Sequence, residues 1–251
     1  MKITILTIFP NLFDSLLKNT IIQRAISNNL VNINIVNIRD YTKDKYKRVD
    51  TPPIGGGSGL IMKCQPIVDA IRSNSNKNTH KILLSPKGRT FNQVLAQNYS
   101  KMNDLLIVCG NYEGIDERVD NYVDELVSIG DYIITGGELA SMIIANSVIR
   151  LLPHAINNES IIDESFENNL LEYPQYTEPF DFEGLKVPEA LKCGNHEVIN
   201  RYRYKMSLKY TKKYRPDLFN KLSLTKQDID LLNEDDISEN ELKAINKNKI
   251  K

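Results

Sequence analysis

Nine of the twelve glycines in this 251-residue chain stand in three clusters: Gly55, Gly56, Gly57 and Gly59; Gly110 and Gly114; and Gly130, Gly136 and Gly137. Clustered glycine leaves backbone bare where something must approach it closely. The third cluster, SIGDYIITGGELA (residues 128–140), carries Asp131 and Glu138 and no Lys or Arg. A diphosphate would call for cations or a helix N-terminus aimed at it. The stretch therefore suits a cationic or neutral ligand with an adenine-like edge that backbone groups can read; a glycine-rich structural turn is the competing reading. It is not a Rossmann fingerprint, which needs Gly-x-Gly-x-x-Gly and an acid about 20 residues on. PPIGGGSGLIM (52–62) lacks the Gly-Lys-Ser/Thr ending of a phosphate loop. It reads as a surface turn or as a backbone surface for a flat or phosphate-bearing partner. LLIVCGNYEGIDERV (105–119) reads as a buried strand ending at Gly110, followed by a charged helix start or a ligand loop at the strand's carboxyl end.

A second kind of chemistry is written in residues 201–215. Arg201, Arg203, Lys205, Lys209, Lys212, Lys213 and Arg215 lie there without an acid, interleaved with Tyr202, Tyr204, Tyr210 and Tyr214. Cations among aromatics serve phosphate backbones and unstacked bases; a solvated helix face is the alternative. Arg39, Lys43, Lys45, Lys47 and Arg48 form a second, mixed patch. No bulk basic field exists, because 32 Lys and Arg balance 32 Asp and Glu. His80, His154 and His196 have no metal-ligand spacing, and Cys64, Cys109 and Cys193 are too few and too far apart for a disulfide frame or a zinc site. No metal site is expected from these residues.

The elements that must carry these groups are strands alternating with helices. Apolar runs at 2–9, 33–38, 82–84, 105–109 and 132–134 read as strands. Helical spacing covers 11–29, 65–73, 91–102 and 138–152. That order predicts an α/β fold, a mostly parallel sheet with helices on both faces and ligands outside the strands' carboxyl ends. After Pro153 the chain turns polar and loop-like. It reads as a domain at 1–153, a linker at 154–175 and a small all-α domain at 176–251, with Thr225 and Asp228 as a capping box. No run of about 18 apolar residues is present, and the short apolar start reads as a first strand rather than a signal peptide, so a cytoplasmic protein is expected.

GGGSGLIM, LSPKGRTF, GNYEGIDERV, SIGDYIITGGELA, DESF and GNHEVINRYR occur in that order. Together they resemble the bacterial knotted tRNA (guanine-N(1))-methyltransferase family, over residues 1 to about 235. The resemblance implies an α/β domain tied in a deep trefoil knot, a departure from ordinary chain topology. It also implies S-adenosylmethionine as cofactor, held largely by backbone at Leu84, Ser85, Pro86, Gly110, Tyr112, Glu113, Ile129, Gly130, Asp131, Tyr132, Ile133, Ile134, Gly136 and Gly137. The sulfonium of that ligand accounts for a pocket without cations. A homodimer with composite active sites, tRNA as partner, Mg2+ and no membrane are implied in the same way. The family arginine falls on Arg150, and its catalytic aspartate falls on Glu164, preceded by Asp163. Nucleic-acid contacts fall on Asp50, Gly59, Arg201, Arg203 and Lys205. Asn111 and Glu178 stand where the family carries arginine, Ile54 where it carries tyrosine and Ala140 where it carries proline.

The implied reaction is methyl transfer to N1 of the guanosine at tRNA position 37. A carboxylate would take the N1 proton and an arginine would stabilise charge on O6. Two rival classes are a knotted methyltransferase acting elsewhere on RNA and a noncatalytic RNA-binding relative. The carboxylate motif near 164 and the basic C-terminal segment argue against the first, whereas the substitutions at 111 and 164 are compatible with the second.

Overall fold

A computed structural model describes residues 1–156 and 164–234. The chain divides into two compact units, Met1–Ile161 and Ile162–Lys251. In the first, the strands are β1 (Lys2–Thr7), β2 (Asn32–Asn37), β3 (Asp50–Thr51), β4 (Ile61–Met62), β5 (His80–Thr90), β6 (Asp104–Val108) and β7 (Glu125–Ser128). β3 and β4 form a small antiparallel pair. The other five make one sheet in the order β2-β1-β6-β5-β7, with every pairing parallel.

The alternation of strand side chains sorts the core into two layers. Ile3, Ile5, Ile82, Leu84, Leu105 and Ile107 face one side, where Ile22 and Ala25, Leu95 and Tyr99, and Ile144 and Val148 close over them. Those residues come from α2 (Thr20–Ser27), α4 (Gln93–Ser100) and α5 (Gly137–Ile149). Leu6, Leu83, Leu106 and Val108 face the other side, against Ile67, Val68 and Ile71 of α3 (Cys64–Asn74). β6 is buried along its whole length, as expected of a central parallel strand with both faces covered.

Two expectations for the first unit need correction. The helix expected over 11–29 is broken into a 3-10 turn (Pro10–Phe13), α1 (Asp14–Leu17) and α2. The break falls at Asn19, whose side chain caps α2 by accepting from the Ile21 and Ile22 amides at 3.0 and 3.4 Å. The short polar side chain satisfies the helix start better than it could serve inside a helix. The strand expected at 132–134 is a loop, and the strand itself precedes it as β7. Ile133 is 84% exposed, so this apolar run is not a buried strand of the sheet.

The second unit contains β8 (Asp181–Phe182) paired antiparallel with β9 (Leu185–Lys186), then α6 (Glu189–Lys192), α7 (His196–Tyr214), α8 (Pro216–Phe219) and α9 (Lys226–Asn233). It is thus mostly helical and carries one short hairpin, where an all-helical unit was expected. The Thr225–Asp228 capping box at the start of α9 forms in both directions. The rest of the domain expected at 176–251 lies, from 235 on, outside the described residues.

Candidate functional site

Three irregular stretches lie side by side: the loops that leave the carboxyl ends of β6 and β7, and an interruption within β5, the strand between them. In β5, Leu84 and Arg89 both pair with Val127, so residues 85–88 loop out of the sheet. Lys87 pins that loop, donating to Glu117 Oε1 and Asp120 Oδ2 at 2.7 Å each. The loop after β6 holds Gly110, Asn111, Tyr112 and Glu113. Tyr112 sits in the left-handed region at φ +58°, unusual for an aromatic. The Glu113 amide donates to Leu60 O at 3.0 Å and the Met62 amide to Gly114 O at 2.9 Å. The glycine-rich β3–β4 hairpin is thereby docked onto this second loop, and Gly59 lies directly against the Glu113 side chain.

The third loop runs from Ile129 to Gly136. Gly130 turns it at φ +142°, while Ile129 and Ile134 pack on the core and Asp131, Tyr132 and Ile133 are exposed. Asn111 and Gly136 form a β-bridge, and the Gly137 amide donates to Gly110 O at 2.7 Å. A side chain at 137 would meet Cys109 Cα at 2.8 Å and Gly110 N at 2.9 Å. Glycine there lets α5 start hard against the end of β6. Glu138, in the first turn of α5, is 3% exposed. Its Oε1 accepts from Thr7 Oγ1 at 2.7 Å and from Asn111 Nδ2 at 2.8 Å. The neighbouring Cys109 is fully buried, and burial, then the Glu138 charge, pushes its thiol well above the usual range. Cys109 is packing and not a nucleophile.

All the cofactor positions expected from sequence thus lie in or beside these three loops: Leu84, Ser85 and Pro86 in the first, Gly110, Tyr112 and Glu113 in the second, and 129–137 in the third. Arg150 is the half-buried C-cap of α5. Asp50 lies in β3, paired with Met62. Sequence reasoning missed Thr7, Lys87 and the part played by Asn111 and Glu138 as ties. No spacing could have joined Thr7 to Glu138, 131 residues apart.

In the second unit, Glu164 lines a cavity of about 510 Å3 together with Asn168, Tyr173, Arg203, Tyr204 and Asp228. Asp163 lies outside the described residues. The segment after Glu164 folds onto α7. Glu172 N donates to Ser165 Oγ at 3.0 Å, and Leu171 N donates to the buried Thr211 Oγ1 at 2.8 Å. The basic stretch is not one open face. Arg201 is exposed and pairs with Glu234. Arg203 stacks on Tyr173 at 4.7 Å, with its Nε buried and unbonded among the described residues. Lys205 is 4% exposed. A helix docked against its own unit must bury one stripe, and Tyr202, Lys205 and Leu208 are in it. Lys212 and Lys213 are the exposed cations of the last turn. Among the described residues no three of His, Cys, Asp and Glu are grouped to hold a metal ion, and no helix is long and apolar enough to cross a membrane.

A parallel sheet with tied, glycine-lined stretches side by side along β6, β5 and β7 defines an α/β protein, and folds of this class hold ligands outside the carboxyl ends of their strands. The particular kind is given by comparison with known proteins. The family model described as tRNA (Guanine-1)-methyltransferase TrmD matches residues 1–221, and the chain belongs to that family. A Clostridium perfringens protein named tRNA (guanine-N(1)-)-methyltransferase is 52% identical over 234 residues, 92% of this chain and 99% of the relative. Proteins of the same name from Malacoplasma penetrans and Dictyoglomus turgidum are 51% and 48% identical, over 87% and 93% of this chain and 97% and 96% of their own lengths.

Proposed function

We propose that the protein transfers a methyl group from S-adenosylmethionine to N1 of a guanosine in tRNA, the one at position 37. The observation that carries this reading is a family match that runs unbroken through all three loops, the carboxylate segment and the basic helix. The crevice suits the donor. Bare backbone at 110 and 136–137 can read an adenine edge, Tyr112 and Tyr132 offer apolar flanks, and the residues assigned to the donor include acids and no cation, while Arg39 reaches only the Tyr112 hydroxyl, at 3.3 Å, and Lys87 is held by Glu117 and Asp120.

In this reading Glu164 accepts the N1 proton as the methyl arrives, because neutral N1 is a poor nucleophile. Arg150 stabilises the charge that develops on O6. Most of the acceleration comes from holding two substrates in line, with the target base splayed out of its stack. Asp163 is the alternative base, one residue earlier. The first 153 residues would bind the donor, 154–175 would link, and 176–251 would grip tRNA, with phosphate contact at Arg201 joined by Lys212 and Lys213. Asp50 and Gly59 would meet the tRNA at the docked hairpin. Arg203 and Lys205 would support that surface from within the unit.

A deep trefoil knot in the first unit belongs to the same proposal. The chain leaves edge strand β7 and returns across β5 and β6 to β1, where Glu138 bonds Thr7. A homodimer with composite sites is supported by an apolar stripe on α5. Leu139 is 57% and Ile143 47% exposed, beside a groove lined by Leu16, Asn19, Met142 and Asn146. The residues described do not fit an all-protein Mg2+ cage, and no step is assigned to that ion. A cytoplasmic location accords with a tRNA substrate. Methyl transfer from labelled donor to a tRNA transcript, followed by mass mapping of the nucleoside, tests the reading. Labelled N1-methylguanosine supports it, and no label or label at another atom overturns it.

A further inference from the structure

The carboxylate of Glu138 takes no part in proton transfer, yet it is among the most buried charged groups in the protein at 3% exposure. Its surroundings are ordered bond by bond. The Phe9 amide donates to Thr7 Oγ1 at 2.9 Å, which commits the Thr7 hydroxyl proton to Glu138 Oε1 at 2.7 Å. Asn111 Nδ2 donates to the same oxygen at 2.8 Å. Ser141 Oγ closes on the Glu138 carbonyl at 2.7 Å. One oxygen thus ties the end of β1, the loop after β6 and the start of α5. The other, Oε2, points toward Gly136: a carbon added there would sit 2.6 Å from it. Both donors to Oε1 are neutral, so neither cancels the charge, and the first turn of α5 favours an anion at this place.

We infer that Glu138 sets the charge preference of the donor crevice, making it bind the sulfonium substrate more tightly than the neutral thioether product. The inference rests on the proposed use of S-adenosylmethionine. In the reaction the S–CH3 bond breaks, the N1–CH3 bond forms and the N1 proton passes to the carboxylate base. Sulfur keeps the electron pair of the broken bond and loses its positive charge. A fixed negative charge close under Gly136 attracts the ligand before transfer and has nothing to attract afterwards. From a position as buried as that of Glu138, such a charge acts over several ångströms with less screening than it would have in water. Glu138 is therefore a positioning residue with an electrostatic duty: it holds the loops and favours release of S-adenosylhomocysteine.

The test separates these two duties by calorimetry with S-adenosylmethionine and S-adenosylhomocysteine on the full chain. Glu138→Gln keeps the shape and an oxygen able to accept from Thr7 and Asn111 but removes the charge. It is expected to weaken S-adenosylmethionine about tenfold, or about 1.4 kcal/mol, and S-adenosylhomocysteine less than twofold. Glu138→Asp keeps the charge on a shorter arm, so both ligands weaken and their affinity ratio stays within about twofold of the wild-type ratio. Equal weakening of both ligands in Glu138→Gln, or no change in either, overturns the inference and leaves the proposed reaction standing. Should Glu138→Gln fail to fold, a Glu138→Asp ratio shifted toward the neutral product overturns the inference by itself. A wild-type chain that binds neither ligand overturns the donor assignment and the inference with it.

Discussion

Alanine in place of Gly137 would put a methyl carbon 2.8 Å from Cys109 Cα and 2.9 Å from Gly110 N. Both are main-chain atoms at the end of β6, and neither can rotate out of the way. Carbon atoms pack at about 3.5–4.0 Å, so the start of α5 must withdraw by roughly 0.7–1 Å. Overpacking of this kind costs ~1–3 kcal/mol. Stretching the 2.7 Å bond from the Gly137 amide to Gly110 O adds ~1 kcal/mol. The expected loss is therefore ~2–4 kcal/mol, a fall of ~1–2 M in the urea midpoint at a slope of ~2 kcal/mol/M. The same shift separates the second and third loops, and a misplacement near 1 Å is worth about a hundredfold, here in affinity for S-adenosylmethionine. Urea denaturation and calorimetry on the same sample read both effects. Gly56→Ala is the control. Gly56 has φ +89° and nothing within 4 Å, so the loss is backbone strain alone, ~1 kcal/mol, with donor affinity unchanged. A Gly137→Ala variant with the wild-type midpoint and wild-type affinity would refute the close packing on which the crevice depends.

Gly136→Val should abolish donor binding while the unit stays folded, because its side chain drives into Asn111 Oδ1 and not into the sheet; circular dichroism with calorimetry checks both halves. Glu164→Gln should stop methyl transfer and spare binding of both substrates, with Glu164→Asp as active as wild type or more so. If Asp163→Asn is the dead variant and Glu164→Gln still turns over, the base is Asp163. Replacing Arg201, Lys212 and Lys213 with alanine should weaken tRNA binding about equally for all tRNAs and flatten its salt dependence. Lys205→Ala, at a buried position, should instead lower the melting temperature of the second unit, and an unaltered melt contradicts that placement. Ile143→Glu should shift the chain to monomer in ultracentrifugation and remove activity with it; a fully active monomer excludes composite sites.

The parts of this molecule that could be read from sequence are those whose physics is local. The apolar runs at 2–9, 82–84 and 105–109 each hold a strand, because burial on both faces leaves a continuous apolar signature; the run at 33–38 holds edge strand β2, whose residues are exposed or half-buried. The Thr225–Asp228 box announces α9 through a three-residue spacing. The run at 132–134 misled because exposed Ile133 and Tyr132 look like strand residues, while β7 itself is the mixed stretch Glu125–Ser128. The clustered glycines at 59 and 137 do stand where chain approaches chain closely, but the sequence could not say what approaches what. Gly59 meets Glu113 and Gly137 meets the end of β6, contacts that only tertiary packing creates. Periodicity could not show that Arg203 and Lys205 turn inward on α7, since a basic helix looks alike on both its faces until it docks. The Thr7–Glu138–Asn111 tie spans most of the first unit and has no sequence signature.

One measurement bears most directly on the account: methyl transfer from S-adenosylmethionine to two tRNA transcripts, one with guanosine at positions 36 and 37 and one with adenosine at 37, read by mass spectrometry of the released nucleosides. The account predicts one N1-methylguanosine per tRNA from the first transcript and none from the second. Equal methylation of both, or a methyl group on a ribose or another base atom, would contradict it.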